Sequence, residues 1–328
     1  MISILMPVKN AGEFLKPCVD SIINQTFTDW ELIAVNDGST DGSDTILRKY
    51  EKLDHRIRTL DSEGVGIVDA LRAAFSISRG DMIHRMDADD LMPSGKLEKL
   101  LANVERGSLT TGRVKYFRDD QVVGEGFRNY ENWLNSVWKS GNGWKDVYLE
   151  CPIASPAWLM YRQDFERIGG FSSELMPEDY GLAFRVLEYG LKINFLDEVV
   201  HLWRDSSERT SRKEKKYFPT AYYPLKVKYF LKLSYDTTRP LLLWGAGKKG
   251  KKVAKLLVDR EIDFQWVTNN EKKLQVPIYD IHLRRSSEVD VSNSQSILVI
   301  SGPTDKEDVA ANFINANLVL GEDYFWFC

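Results

Sequence analysis

Asp87-Ala88-Asp89-Asp90 stands at the end of a strand-like run, Met82 to Met86, and is followed by Leu91-Met92-Pro93. Two carboxylates one residue apart at a strand end can turn toward the same point. Hard divalent cations such as Mg²⁺ and Mn²⁺ favour oxygen ligands of this kind. Mg²⁺ takes one or two protein carboxylates and completes its shell with waters and phosphate oxygens, so a nucleoside diphosphate is its natural companion. Departure of a diphosphate builds negative charge, which a bound cation neutralises. The same residues could instead form an acidic turn that caps the next helix. A second acidic pair lies in Met176-Pro177-Glu178-Asp179-Tyr180, ahead of the amphipathic stretch Leu182 to Glu188. Acidic residues at a helix start are stabilised by the helix dipole. The chemical alternative is a general base, because an acceptor hydroxyl attacks poorly until a carboxylate takes its proton.

Strands and helices alternate through the first part of the chain, and they carry these groups. Ile2 to Met6 is a short apolar run that reads as a buried strand, and Ala11 to Asn24 reads as a helix with Phe14, Leu15, Val19, Ile22 and Ile23 on one face. Trp30 to Asn36 is a second strand, Ser43 to Leu53 a helix, Arg58 to Asp61 a short strand, Val68 to Ser78 a helix and Met82 to Met86 a strand. Alternation of this kind predicts an α/β fold with a mostly parallel sheet flanked by helices. Ligands of such sheets bind beyond the carboxyl ends of the strands. Val8-Lys9-Asn10, Asp37-Gly38-Ser39 and Asp87 to Asp90 all fall there.

The chain has 328 residues, enough for two domains, and a formal net charge of −4 that gives it no overall basic footprint for nucleic acid. Cys18, Cys151 and Cys328 are odd in number and far apart, which favours free thiols and a reduced, cytoplasmic setting. The N-terminus lacks a basic leader and is interrupted by Pro7, so no signal peptide is expected. No run reaches the roughly 18 apolar residues of a membrane span. Any membrane association would be peripheral, at the inner face of the cell membrane.

Composition shifts near Arg204. Arg212 to Lys232 interleaves lysines with Tyr217, Phe218, Tyr222, Tyr223, Tyr229 and Phe230. This stretch could touch an anionic lipid surface or pack its aromatics between two domains. Beyond it, Pro240 to Trp244 reads as a strand, Gly245-Ala246-Gly247-Lys248-Lys249-Gly250 as a turn, and the residues to Arg260 as a helix. Ile297 to Ser301 and Tyr324 to Phe327 are further strand candidates. That context suits a dinucleotide fingerprint. Near Val267, however, Thr268-Asn269-Asn270 stands where an NAD site wants an acidic residue, so NAD is not expected. The boundaries predicted are 1–205 for a catalytic domain, 206–238 for a basic aromatic connector, and 239–328 for a small Rossmann-like accessory domain.

Several motifs in order resemble family 2 glycosyltransferases over about residues 1–210. They are Pro7-Val8-Lys9-Asn10, Ser21 to Phe27, Val35-Asn36-Asp37-Gly38-Ser39-Thr40-Asp41 and Gly66 to Leu71. Gly80-Asp81 through Arg85-Met86-Asp87-Ala88-Asp89-Asp90, Ile168 to Phe171 and Pro177-Glu178-Asp179-Tyr180 complete the set. The resemblance implies the GT-A nucleotide-diphospho-sugar transferase fold and transfer that inverts the anomeric centre. It implies that Asp37 binds the nucleotide base beside the backbone of Pro7, Val8, Lys9 and Asn10. Gly66 and Ala88 would complete the donor site. Asp89 would hold Mn²⁺ or Mg²⁺, with Asp87 near the ribose or the metal and His201 as a further ligand. Asp179 would be the catalytic base and Glu178 its neighbour on the acceptor side. Trp203-Arg204, with Arg209 and Arg212, resembles the stretch over the diphosphate, where the guanidinium fork suits phosphate oxygens. Arg72 stands where the family often has Asn.

The expected partners are a nucleotide-sugar, with UDP the expected nucleotide, and a glycan or lipid-linked glycan acceptor of cell-surface polysaccharide synthesis. Three other functions fit parts of the pattern. A nucleotidyltransferase would release pyrophosphate. An inactive nucleotide-sugar-binding scaffold would need no base, and an oxidoreductase would use the C-terminal glycines.

Overall fold

The computed structural model describes residues 1–62, 66–119, 122–172, 177–205, 221–300 and 302–328. Mostly apolar sequence without strict alternation marks strands covered on both faces. Accordingly β1 (Ile2–Val8) and β2 (Trp30–Asn36) are buried almost throughout and pair in parallel, Val8 opposite Asn36. Between them α1 (Gly12–Ile23) turns Leu15, Cys18, Val19 and Ile22 to the core. Next come α2 (Ser43–Leu53), β3 (Ile57–Asp61), α3 (Ile67–Ile77) and β4 (Met82–Arg85). Each matches its sequence expectation to within two residues at either end.

Beyond β4 lie α4 (Lys96–Leu101), β5 (Ser108–Phe117), α5 (Glu125–Ser136), β6 (Trp158–Tyr161), α6 (Arg162–Arg167), α7 (Glu178–Glu188) and β7 (Lys192–Arg204). The sheet runs β3-β2-β1-β4-β6-β5-β7. Its pairs are parallel except that β6 runs antiparallel to both β4 and β5. Sequence periodicity does not announce β5 to β7. The β5–β7 pair breaks register around Gly112 and Arg113, and β7 is half-exposed for much of its length. Glu178 and Asp179 lie inside the first turn of α7 rather than ahead of the helix.

The chain divides into two compact units. One comprises Met1–Gly141, Ile153–Glu174 and Glu178–Arg209; the other comprises Asn142–Pro152, Leu175–Pro177 and Thr210–Cys328. These segments are discontinuous, where the sequence reading draws continuous boundaries at 205 and 239. Tyr148 stacks on Phe327, ring centroids 5.3 Å apart, and meets Phe230 and Phe325 edge-on, so a segment distant in sequence completes the second core.

The second unit holds a parallel sheet of β8 (Leu241–Trp244), β9 (Gln265–Val267), β10 (Gln295–Leu298) and β11 (Tyr324–Trp326), ordered β11-β10-β8-β9. The described part of the expected connector includes the helix Tyr223–Leu233. Its Tyr223, Tyr229 and Phe230 are buried, so these rings pack inward and are not offered to a lipid surface. Arg209, Arg212, Tyr217 and Phe218 lie outside the described residues. Among the described residues, no helix is long and apolar enough to cross a membrane.

Candidate functional site

The parallel strands end on one edge of the sheet, and three polar loops gather there. Asp37, 2% exposed, is fixed at the end of β2: its amide donates to the Val8 carbonyl at 2.8 Å. Its Oδ1 accepts from Ser62 Oγ at 2.7 Å and from the Gly66 amide at 3.3 Å, while Lys9 Nζ stands 3.6 Å from Oδ2. Gly66 has φ of +115°, a region that a side chain makes costly, and this conformation starts α3. Asn10 knits the other side. Its amide donates to Ser39 Oγ at 3.0 Å and its Oδ1 accepts from the Thr40 amide at 2.8 Å. Val8, Lys9, Asn10, Asp37 and Gly66 are thus drawn together, with Pro7 beside Val8 at the end of β1.

The acidic clusters, far apart in sequence, are joined by a residue to which the sequence reading gives no role. Arg85 ends β4 and is 5% exposed. Its Nε donates to Asp87 Oδ1 at 2.9 Å, and its Nη1 donates to Glu178 Oε1 at 3.0 Å. Burial favours loss of its proton, but Asp87, Glu178 and Asp179 hold the guanidinium charged. The available signal was a lone arginine at the end of an apolar strand. Glu178 is buried, and Asp179 Oδ1 accepts from the Tyr180 amide at 2.7 Å. Burial and the adjacent Glu178 carboxylate push Asp179 up to about 7, against the opposing pull of Arg85. A carboxyl group tuned toward neutrality is suited to proton transfer at working pH.

Asp90, 1% exposed, belongs to a different network. His201 Nε2 lies 2.8 Å from Asp90 Oδ2, and the Arg204 amide donates to Asp90 Oδ1 at 2.8 Å. His201 Nδ1 lies 3.2 Å from Lys96 Nζ. Both ring nitrogens of His201, expected as a further metal ligand, are therefore engaged in this network. Burial pushes Lys96 down to about 7, opposed by Asp90 and Asp87. Arg204 Nε donates to the Asp89 carbonyl at 2.7 Å, and its guanidinium lies over Phe14 at 4.7 Å and Phe117 at 4.5 Å and pairs with Asp119. Arg204 is therefore built into the acidic loop. Arg72 reaches the Phe171 carbonyl at 2.9 Å and fastens α3 to that segment.

The oxygen-only donor set of Asp87 and Asp89, with the buried Ala88 between them, suits a hard cation. Among the described residues, no three His, Cys, Asp or Glu side chains form a dedicated cage.

In the second unit, packing accounts for two of the three fingerprint glycines, whereas a Cβ on Gly247 would meet no described atom within 4 Å. A Cβ on Gly250 would stand 2.0 Å from the Gly245 carbonyl oxygen, and one on Gly245 would stand 2.3 Å from that of Val299. After β9, Asn269 Oδ1 accepts from the Ser286 amide at 3.1 Å, and the segment Thr268 to Asn270 offers no carboxylate.

A mixed α/β sheet with an acidic loop and an acidic helix start at its carboxyl edge defines a transferase of the GT-A class. The family model "Glycosyl transferase family 2" matches residues 3–169, half of the chain, and the chain belongs to that family. It is 26% identical over 224 residues to the glycosyltransferase GlyG of Streptococcus pneumoniae, covering 65% of this chain and 74% of GlyG. Over two other curated relatives the match spans 31% and 48% of their length. Among solved structures, S. aureus TarS 1–349 in complex with UDP-GlcNAc superposes with a TM-score of 0.56 at 17% identity, covering 78% of this chain and 71% of that one. The mannosyltransferase PcManGT from Pyrobaculum calidifontis, in complex with GDP-Man and Mn²⁺, superposes with a TM-score of 0.50 at 17% identity, covering 78% and 68%.

Proposed function

We propose that this glycosyltransferase is metal-dependent and inverting, and moves a sugar from a UDP-sugar to a hydroxyl of a glycan or lipid-linked glycan in cell-surface polysaccharide synthesis. The observation that carries the reading is the Arg85 bridge, which joins Asp87 of the acidic loop to Glu178 beside Asp179. A site for a leaving diphosphate and a site for a base then share one buried arginine. A binding module needs no such base, which sets aside the scaffold alternative.

In this reading Asp37 and the Pro7 to Asn10 backbone hold the nucleotide, with Gly66 and Ala88 lining the donor. Asp89 and Asp87 would hold Mn²⁺ or Mg²⁺, which supplies charge neutralisation for the diphosphate. Arg204 adds positive charge on the same side. Asp179 takes the proton of the acceptor hydroxyl as its oxygen attacks the anomeric carbon, opposite the departing diphosphate. That displacement inverts the centre. Glu178 fixes Arg85 and faces the acceptor side. TarS with UDP-GlcNAc and PcManGT with GDP-Man and Mn²⁺ support a nucleotide-sugar donor and a divalent metal.

The test is thermal stabilisation of the purified chain by nucleotides and nucleotide-sugars, with and without Mn²⁺. A ligand that binds only the folded state raises its melting temperature by mass action. A Mn²⁺-dependent shift with UDP or a UDP-sugar is expected. A shift with NAD(H) alone would move the function to the C-terminal turn, and pyrophosphate released from a nucleoside triphosphate would favour a nucleotidyltransferase.

A further inference from the structure

Lys96, at the start of α4, is 0% exposed. Among the described residues no carboxylate lies within ion-pair distance of it. Its Nζ donates to the Pro156 carbonyl at 2.7 Å and stands 3.2 Å from His201 Nδ1. A lysine this deep is rare, and an apolar residue of similar volume would cost less to bury. Its hydrogen bonds must therefore do something that apolar packing could not.

Those bonds form a directed chain. A carboxylate only accepts, so Asp90 takes the ring's proton-bearing nitrogen and leaves His201 Nδ1 to accept from Lys96 Nζ. The ring proton is then on Nε2, which donates to Asp90 Oδ2 at 2.8 Å. Asp90 Oδ1 accepts from the Arg204 amide at 2.8 Å. One tautomer satisfies every member. Around this chain, Leu91 and Leu202 exchange backbone hydrogen bonds, both 3.1 Å, and Arg204 Nε reaches the Asp89 carbonyl. The residue that follows Asp89 is thereby tied to α4, to the segment before β6 and to the end of β7.

We propose that the buried Lys96–His201–Asp90 chain is a positioning device for the donor site. It locks the acidic loop against the end of β7, so that Asp89 and Arg204 meet the donor diphosphate already in place. This rests on the donor-site reading above, and it assigns positioning roles to Lys96 and His201, which touch no substrate. The sign of the effect separates positioning from simple electrostatics. Removal of a basic group near Asp87, Asp89 and Asp90 should by charge alone tighten cation binding. Loss of a positioning device weakens it.

The experiment titrates UDP and GDP into the full chain with Mn²⁺ by calorimetry and records the melting temperature of every variant. His201→Phe keeps volume but removes both hydrogen bonds. His201→Gln keeps a donor for Asp90 and an acceptor for Lys96. His201→Phe and Lys96→Met are expected to weaken Mn²⁺-dependent binding about tenfold or more, the usual effect of losing a residue that supports a metal site. His201→Gln should retain most of the affinity. If the single variants do not fold, Lys96→Met/His201→Phe, which leaves no buried lysine without its partner, carries the same expectation. Unchanged or tighter binding in a folded Phe or double variant would overturn the proposal, as would a folded Gln variant no better than Phe. Failure of the wild-type chain to bind either nucleotide would instead overturn the donor-site reading, and this inference with it.

Discussion

Replacement of Arg85 by Gln tests the bridge between the two acidic clusters. The change removes two charge-assisted hydrogen bonds, 2.9 Å to Asp87 and 3.0 Å to Glu178. Each such bond contributes about 1.5–3 kcal/mol, and breaking a buried ion pair by removing one partner typically costs about 3–5 kcal/mol. A loss of about 3–5 kcal/mol is therefore expected at pH 8, a large part of the roughly 5–15 kcal/mol that holds a domain together. The loss should depend on pH. Arg85 is the cation that opposes the rise of Asp179, already at about 7. Without it Asp179 moves further above its unfolded value. A carboxyl group raised in the folded state binds more protons there, so it favours folding at low pH and loses that advantage as pH climbs through the folded value. The deficit should be largest above pH 7 and smaller near pH 5. For the same reason the acid limb of kcat/KM should shift to higher pH. The assay is denaturant unfolding of wild type and Arg85→Gln at pH 5.5 and 8, with kcat/KM across the same range. Stability within about 0.5 kcal/mol of wild type at pH 8, together with an unmoved acid limb, would refute the bridge as the coupling element.

Asp179→Asn should lower transfer by about 10²–10⁴-fold, the usual contribution of a general base, while Mn²⁺-dependent nucleotide binding persists; retained turnover would remove Asp179 from the base role. The same substitution removes a carboxylate that burial disfavours, so the melting temperature should rise above pH 7 and change little near pH 5. Asp89→Ala should abolish the Mn²⁺-dependent part of the thermal shift given by UDP, and an undiminished shift would take the metal away from this residue. Gly250→Ala forces a Cβ to within 2.0 Å of the Gly245 carbonyl oxygen, so unfolding should show a loss of at least about 1–3 kcal/mol from overpacking. Wild-type stability there would mean that the turn tolerates a side chain and that the glycine answers some other need.

The first half of the fold was legible because its signals are local. Short, mostly apolar runs from Ile2 and Trp30, the strand-like run from Met82, and the apolar faces of the intervening helices each fix an element without reference to the rest of the chain. Loops that follow parallel strands must emerge on one edge, so Val8 to Asn10, Asp37 to Ser39 and Asp87 to Asp90 could be grouped in advance. Strands β5 to β7 were not legible. One is short, and the β5–β7 pair breaks register near Gly112, so neither presents a clean two-residue period. The second unit misled for a different reason. Tyr148 belongs to its core although two segments of the other unit, Ile153–Glu174 and Glu178–Arg209, follow it, and composition records only what is contiguous.

The sequence by itself determined the kinds of chemistry available: oxygen ligands at Asp87 and Asp89, an acidic pair at Glu178 and Asp179, and a resemblance strong enough to name the family. Those are statements about residue type and order. Only the tertiary structure decided which groups share a field. It drew Glu178 to Arg85 from 93 residues away, and it turned His201 from an expected ligand into the middle of a buried chain from Lys96 to Asp90. The physical reason is that hydrogen bonds and desolvation act over a few ångströms of space, and burial sets both their strength and the protonation of the groups that make them.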